Sequence, residues 1–236
     1  MKPTYEEQIR AIGNGKLLQP GCYDENLNLL SEDYRDTSGL KDNVAYVIIP
    51  EGVTDIKENQ FYECSALKNV VIPETVTEIK PFAFADCFEL ASVIIPDSVT
   101  SIGDHAFFRC SELKNAMLSE NLNKIEVATF CKCLNLKNIN ISDDVISIKA
   151  GAFSDCVRLF LKIPDSVKEI EQDAFLDVPN ILINTNIDLD ESGVKTINGF
   201  VEGNLVFLNE DKTELRACLE SDTEIIIPDG VKYIND

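Results

Sequence analysis

A 23-residue period runs through most of this 236-residue chain, and no other feature restricts its fold as much. Proline recurs at 50, 73 and 96; the slot continues as Ser119 and Ser142, then Pro164 after 22 residues. Ile56, Ile79, Ile102, Ile125, Ile148 and Ile170 form a second column, and Phe61, Phe84, Phe107, Phe130, Phe153 and Phe175 a third. Cys64, Cys87, Cys110, Cys133 and Cys156 form a fourth, which Val178 ends, and Leu67, Leu90, Leu113, Leu136 and Leu159 a fifth. One such unit is too small to bury its own apolar residues. Stacked units bury them jointly, so a fixed period of this length predicts a solenoid.

The unit "LKNVVIPETVTEIKPFAFADC" (67–87) shows how each coil is built. Val70 and Ile72 alternate with outward positions, which is the period of a short strand. Pro73 removes a backbone donor and ends that strand, and "PET" opens a turn. Val76 and Ile79 return inward. Phe84, Cys87 and Leu90 recur at spacing three, which predicts one tight helical or 3₁₀ turn. The predicted fold is an α/β repeat solenoid. It is a right-handed coil with a parallel sheet on one face and short helical or 3₁₀ turns on the other.

The stretch "IPDSVTSIGDHAFFRCSEL" resembles the BspA-type leucine-rich repeat, with its I-P-x-x-V-x-x-I-x-x-x-A-F-x-x-C-x-x-L signature, over roughly residues 47–183. The resemblance implies a curved solenoid used for protein binding, often secreted or on microbial cell surfaces, and implies no reaction. Ser119 and Ser142 depart from the pattern, and the repeat near "RLFLKIP" (158–164) is one residue short. Those departures predict a local change of curvature.

Three segments are expected: a capping segment over residues 1–43, the repeats over 44–183, and residues 184–236 as an insertion followed by the start of a further repeat. Thr4 and Glu7 are spaced as a capping box ahead of Tyr5, Ile9 and Ile12 on one helical face. "NLVFLNEDKTELRACL" (204–219) reads as a hairpin, of a kind that resembles the insertions found in such arrays. Ile225, Ile227, Val231 and Ile234 then re-enter the repeat columns, which suggests a fragment of a longer protein.

Charge narrows the partners. With 21 basic and 41 acidic residues the formal net charge is −20, the wrong sign for nucleic acid or an anionic membrane surface. No apolar run approaches the 18 or so residues of a membrane-spanning helix, and residues 1–18 lack the apolar core of a secretory leader.

Apparent catalytic and metal motifs dissolve into the repeat. His105, the only histidine, precedes Cys110 by five residues. Its equivalents are Asn59, Phe82, Ala128, Gly151 and Asp173, so the position reads as a free one. Cys110 belongs to a buried column, where a thiol is inert. Neighbouring cysteine rungs fall within disulfide range, but parallel side chains disfavour the bond, so reduced thiols are expected. "CKC" (131–133) lacks a second ligand pair for zinc. "DLDESG" opens like a calcium loop with Asp188, Asp190 and Ser192, but Gly199 stands where a bidentate Glu is needed. No metal or cofactor is predicted, and no enzyme.

The outward sheet column offers a candidate site. Ile48, Val71, Ile94 and Met117 place four apolar rungs in a row, followed by Asn140 and Lys162. Beside them run Tyr46, Asn69, Ser92, Asn115 and Asn138. An exposed apolar stripe bordered by amides predicts a strip that binds a protein or other macromolecular partner, as an adhesion or scaffold module. Cover by the N-terminal segment or by a second copy, giving a homodimer, is the competing expectation. A structural spacer within a longer surface protein is the alternative function.

Overall fold

The computed structural model describes residues 2–35, 37 and 39–178, together with the backbone of five strands beyond them, at 180–183, 200–202, 205–207, 214–218 and 233–234. The chain opens with helix α1 (Tyr5–Ile12), then strands β1 (Gly21–Tyr23) and β2 (Leu29–Ser31). Thr4 caps α1 in the predicted box. Its hydroxyl accepts from the Glu7 amide at 3.3 Å, and Glu7 Oε2 accepts from the Thr4 amide at 2.7 Å.

Each of six coils then contributes two short strands. The first coil has β3 (Tyr46–Ile48) and β4 (Asp55–Ile56), and the second β5 (Asn69–Val71) and β6 (Glu78–Ile79). The third has β7 (Ser92–Ile94) and β8 (Ser101–Ile102), and the fourth β9 (Asn115–Met117) and β10 (Lys124–Ile125). The fifth has β11 (Asn138–Ile139) and β12 (Ser147–Ile148), and the sixth β13 (Phe160–Ile163) and β14 (Glu169–Ile170). Strand β15 (Asn180–Ile183) adds in parallel to β13. Beyond it β16 (Phe200–Glu202), β17 (Leu205–Phe207) and β18 (Glu214–Cys218) pair antiparallel, and β19 (Tyr233–Ile234) pairs parallel with β18.

Corresponding residues of successive coils pair in register: Tyr46 with Asn69, Ser92 with Asn115, Asn115 with Asn138. The N-terminal segment continues this sheet, since β1 pairs antiparallel with β3 and β2 with β1. The edge that β3 would otherwise present is therefore paired. A second parallel ladder, of two-residue strands, joins β4, β6 and β8, and then β10, β12 and β14. Sequence periodicity takes these residues for a bend, because two residues carry no alternation to detect.

The turn side corrects one expectation. It holds no helical or 3₁₀ turn among the described residues; α1 is the sole helix there. Instead alternate amides bond along and across the coils. Asn59, Phe61 and Glu63 donate to the carbonyls of Pro81, Ala83 and Ala85 one coil on. Gln60, Tyr62 and Cys64 between them donate three residues back. The chain achieves this alternation by entering left-handed backbone twice per coil. The first column of such residues is Asn59, Phe82, His105, Ala128, Gly151 and Asp173. The second is Glu63, Asp86, Arg109, Lys132, Asp155 and Asp177. A 3₁₀ run would turn every amide inward and forfeit the bonds between coils. His105 therefore does not occupy a free position: its φ of 57° is imposed by the coil.

Inside, the columns become ladders. The six phenylalanines are stacked at centroid spacings of 5.2–5.6 Å, with rings within 15° of parallel. Beside them each cysteine thiol from Cys87 to Cys156 donates to the carbonyl of the phenylalanine 26 residues earlier, at 3.1–3.2 Å. A thiol suits this place because it fills space as a small hydrophobe and still satisfies a carbonyl. Where proline is missing, serine opens the turn. The Ser119 and Ser142 hydroxyls accept from the Asn121 and Asp144 amides, and Ser142 donates to the Glu120 carbonyl at 2.8 Å.

Candidate functional site

The outward sheet column is split in two. Ile48 and Val71 are not surface residues: both are fully buried, in a small cluster with Ile9 of α1 and Tyr23 of β1, against which Tyr5, Ile12 and Tyr46 pack. The helix lies over the first two coils, where its apolar face, Tyr5, Ile9 and Ile12, meets the first two apolar rungs of the column. That contact joins residues about 40 and 60 positions apart, which no local pattern reveals. Tyr46 and Asn69 line a cleft of about 430 Å³ beside Ile12 and Asn14.

From the third coil onward the column is open. Ile94, Met117 and Asn140 are half-buried and Lys162 is exposed; Ser92 is half-buried and Asn115 and Asn138 are exposed. Asn115, Met117, Asn138 and Asn140 come together in one groove of about 970 Å³. Its wall on one side is the N-terminal arm, Lys2 to Thr4. The predicted strip is thus a shorter groove with an added wall.

The groove floor is mixed. Asn138 Nδ2 donates to Asn115 Oδ1 at 2.7 Å, which leaves one amide nitrogen and one amide oxygen of the pair facing outward. Asn140 closes on the backbone of the coil before it: Oδ1 accepts from the Leu118 amide at 2.7 Å and Nδ2 donates to the Leu118 carbonyl at 3.3 Å. Its side chain replaces a strand rung, which accounts for β11 stopping at Ile139. Lys2 anchors the arm, donating to the Ile95 carbonyl at 2.9 Å and to Asp97 Oδ1 at 2.5 Å. That contact holds the Asp97 carboxyl below its ordinary pKa, helped by the Glu120 amide.

Lys2, Pro3, Glu74, Asp97, Glu120 and Phe160 also line the groove, with the capping residue Thr4, and the sequence marks none of them as a site residue. Phe160 continues the Asn115–Asn138 column, and Glu74, Asp97 and Glu120 belong to an acidic column after the proline slot. Tabulating those two columns finds these four; Lys2, Pro3 and Thr4 precede the repeat and belong to no column.

The His105–Cys110 pair has no chemistry. The His105 ring stacks on Phe82 at 4.7 Å and meets the edge of Phe108. The Cys110 thiol points into the core at the Phe84 carbonyl, and burial pushes its pKa far up. Burial likewise raises Cys87, Cys133 and Cys156. No group of metal-ligating side chains occurs among the described residues, and none of the described helices is long and apolar enough to cross a membrane. Asp188, Asp190 and the Cys218 side chain lie outside the described residues.

Short coils paired in register, with one sheet face open, define a parallel β-solenoid of the leucine-rich-repeat type. The chain belongs to the BspA type leucine rich repeat family, whose sequence model matches residues 40–160 and 124–201 in six copies. A leucine-rich repeat protein from Eubacterium ventriosum is similar at 25% identity and a TM-score of 0.56, over 61% of this chain and 40% of that one. One from Bacteroides ovatus has 24% identity and a TM-score of 0.48, over 59% and 43%. The Treponema pallidum leucine rich repeat protein has 28% identity and a TM-score of 0.40, over 49% and 64%. This chain thus spans less than half the length of the first two. Comparison with curated proteins gives no match.

Proposed function

We propose that this repeat module is a non-enzymatic interaction module that binds a protein partner on the open part of its parallel sheet. The groove at Asn115, Met117, Asn138 and Asn140 carries the reading. It joins half-buried apolar surface to amides with hydrogen-bonding capacity to spare, and a fixed β-sheet holds both. A peptide backbone needs both kinds of contact.

The test is selection from a random peptide library displayed on phage, with wild type as bait. Peptides should emerge that bind with Kd around the micromolar range and lose at least tenfold on Ile94→Lys with Met117→Lys. Equilibrium sedimentation of both proteins runs beside it. A wild-type dimer that the double variant dissolves would assign the strip to a second copy. Selected peptides indifferent to the variant, or none at all, would leave the spacer role.

A further inference from the structure

Six carboxylates line one rim of the sheet. The residue after the proline or serine slot is Glu51, Glu74, Asp97, Glu120, Asp143 and Asp165, acidic and exposed in every coil. Two residues before each stands a carbonyl at the end of the sheet strand, beginning with Ile49, Ile72 and Ile95.

The chain itself shows what such a carbonyl and carboxylate hold. In the third coil it is the Lys2 ammonium, shared between the Ile95 carbonyl and Asp97. In the first, the Tyr5 hydroxyl donates to the Ile49 carbonyl at 2.6 Å, and burial together with the Glu51 charge pushes its pKa up to about 12. In the fourth, Asn140 Nδ2 donates to the Leu118 carbonyl and, at 3.1 Å, to Glu120 Oε1. Three different donors from two separate parts of the chain converge on the same acceptors.

Their spacing is informative. Lys2 and Tyr5 are three residues apart and engage coils two steps apart. An extended segment covers about 10 Å in three residues, and two coil steps of about 4.8 Å cover nearly the same distance. A segment running along the solenoid therefore offers, at every third residue, a donor to every second coil of this rim.

At the far end the rim is unfilled. The Asp143 and Asp165 carboxylates take neither a cation nor a hydrogen bond from the chain among the described residues. They line a cleft of about 460 Å³ with Ser166, whose Oγ is buried with no hydrogen-bond partner among the described residues. Lys162 lines the same cleft and opposes a cation there.

We infer that this end of the acidic rim docks an extended, lysine-bearing segment of a protein partner, laid along the coils as residues 2–5 are at the other end. The inference rests on the protein-binding reading above and names the chemistry of the partner. The formal charge of −20 favours such a partner at long range as well.

Fluorescence anisotropy with the full chain tests it. The probe is a short labelled peptide with lysine at every third position among glycine, serine and proline; the control carries glutamine instead. Wild type should bind the lysine peptide, weakening with added salt, and ignore the control. Asp143 and Asp165 stand one coil step apart, so a single lysine of such a segment serves both, and Asp143→Asn with Asp165→Asn should weaken binding roughly twofold to fivefold, the scale of one exposed ion pair. Lys162→Ala should tighten it about twofold to threefold, a gain that misfolding does not produce. Equal binding of both peptides, or no binding of the lysine peptide, overturns the inference, as does indifference to both variants. Library peptides that need Ile94 and Met117 but ignore Asp143 and Asp165 would overturn this inference and leave the protein-binding reading standing.

Discussion

The same sheet column meets opposite fates at its two ends. Ile48 and Val71, in the first two coils, are fully buried beneath α1, while Ile94 and Met117, in the next two, stay half-open, and Met117 lines a groove. The repeat assigns these four residues one position and one direction. It does not assign exposure, which the non-repeating segment decides by where its apolar face runs out. In a solenoid, position within the unit fixes the core, and the ends of the array decide which part of a face remains for partners.

The largest expected effects test whether the core beneath the two regions is indifferent to the cover. Phe61→Ala and Phe107→Ala should each cost about 3–5 kcal/mol in urea melts, because both rings are fully buried in one stack. A loss below about 1 kcal/mol at either position would break the equivalence of the coils.

The next pair separates the regions directly. Ile48→Ala should cost about 2–5 kcal/mol and Ile94→Ala less than about 1 kcal/mol, since the first side chain leaves a cavity and the second does not. Equal costs would mean that α1 does not hold the first two coils in solution.

Smaller effects sharpen the role of the cover. Thr4→Ala removes the cap of α1 and should cost about 1 kcal/mol, with faster amide exchange confined to residues 5–12. Acid should act on the same element. Glu7 is held below its ordinary pKa by hydrogen bonds from the Thr4 backbone and hydroxyl, and Asp97 by Lys2. Groups with lowered values stabilise above their ordinary pKa of about 4, and that support is lost as pH falls through the lowered values. Protection in α1 should therefore fall as pH drops below about 4, before protection in the coils. Simultaneous loss would tie the arm to the core more tightly than the contacts suggest.

Thiol chemistry gives the last comparison. Cys131 is partly exposed on the turn side, whereas Cys87, Cys110, Cys133 and Cys156 are buried and hydrogen-bonded. Alkylation of the native protein should mark Cys131 well ahead of those four. Under denaturing, non-reducing conditions all eight cysteines of the sequence should react as thiols.

Much of this architecture is legible in the columns. The phenylalanine and cysteine ladders, the register of the sheet and the Thr4–Glu7 box follow from spacing alone. What stays hidden has physical causes. The burial of Ile48 and Val71 depends on a contact between distant segments. The second ladder is two residues wide, below the length at which alternation can be seen. The left-handed columns include Phe82, Ala128, Glu63, Arg109 and Lys132, so residue type signals backbone conformation only at their asparagine, aspartate, histidine and glycine positions. The acidic rim lies fully in view, but as a turn opener it draws attention to its proline instead.

The left-handed columns have a consequence for how this chain tolerates genetic change. Exposed turns are where drift is ordinarily harmless. Here none of the left-handed residues in the two columns is β-branched, and valine, isoleucine or threonine would be a steric outlier at any of them. Asparagine, aspartate, glycine and alanine codons are each a single nucleotide from one of those three. The side of the solenoid that looks most free to vary therefore carries a backbone cost of about 1–3 kcal/mol against these single-nucleotide changes.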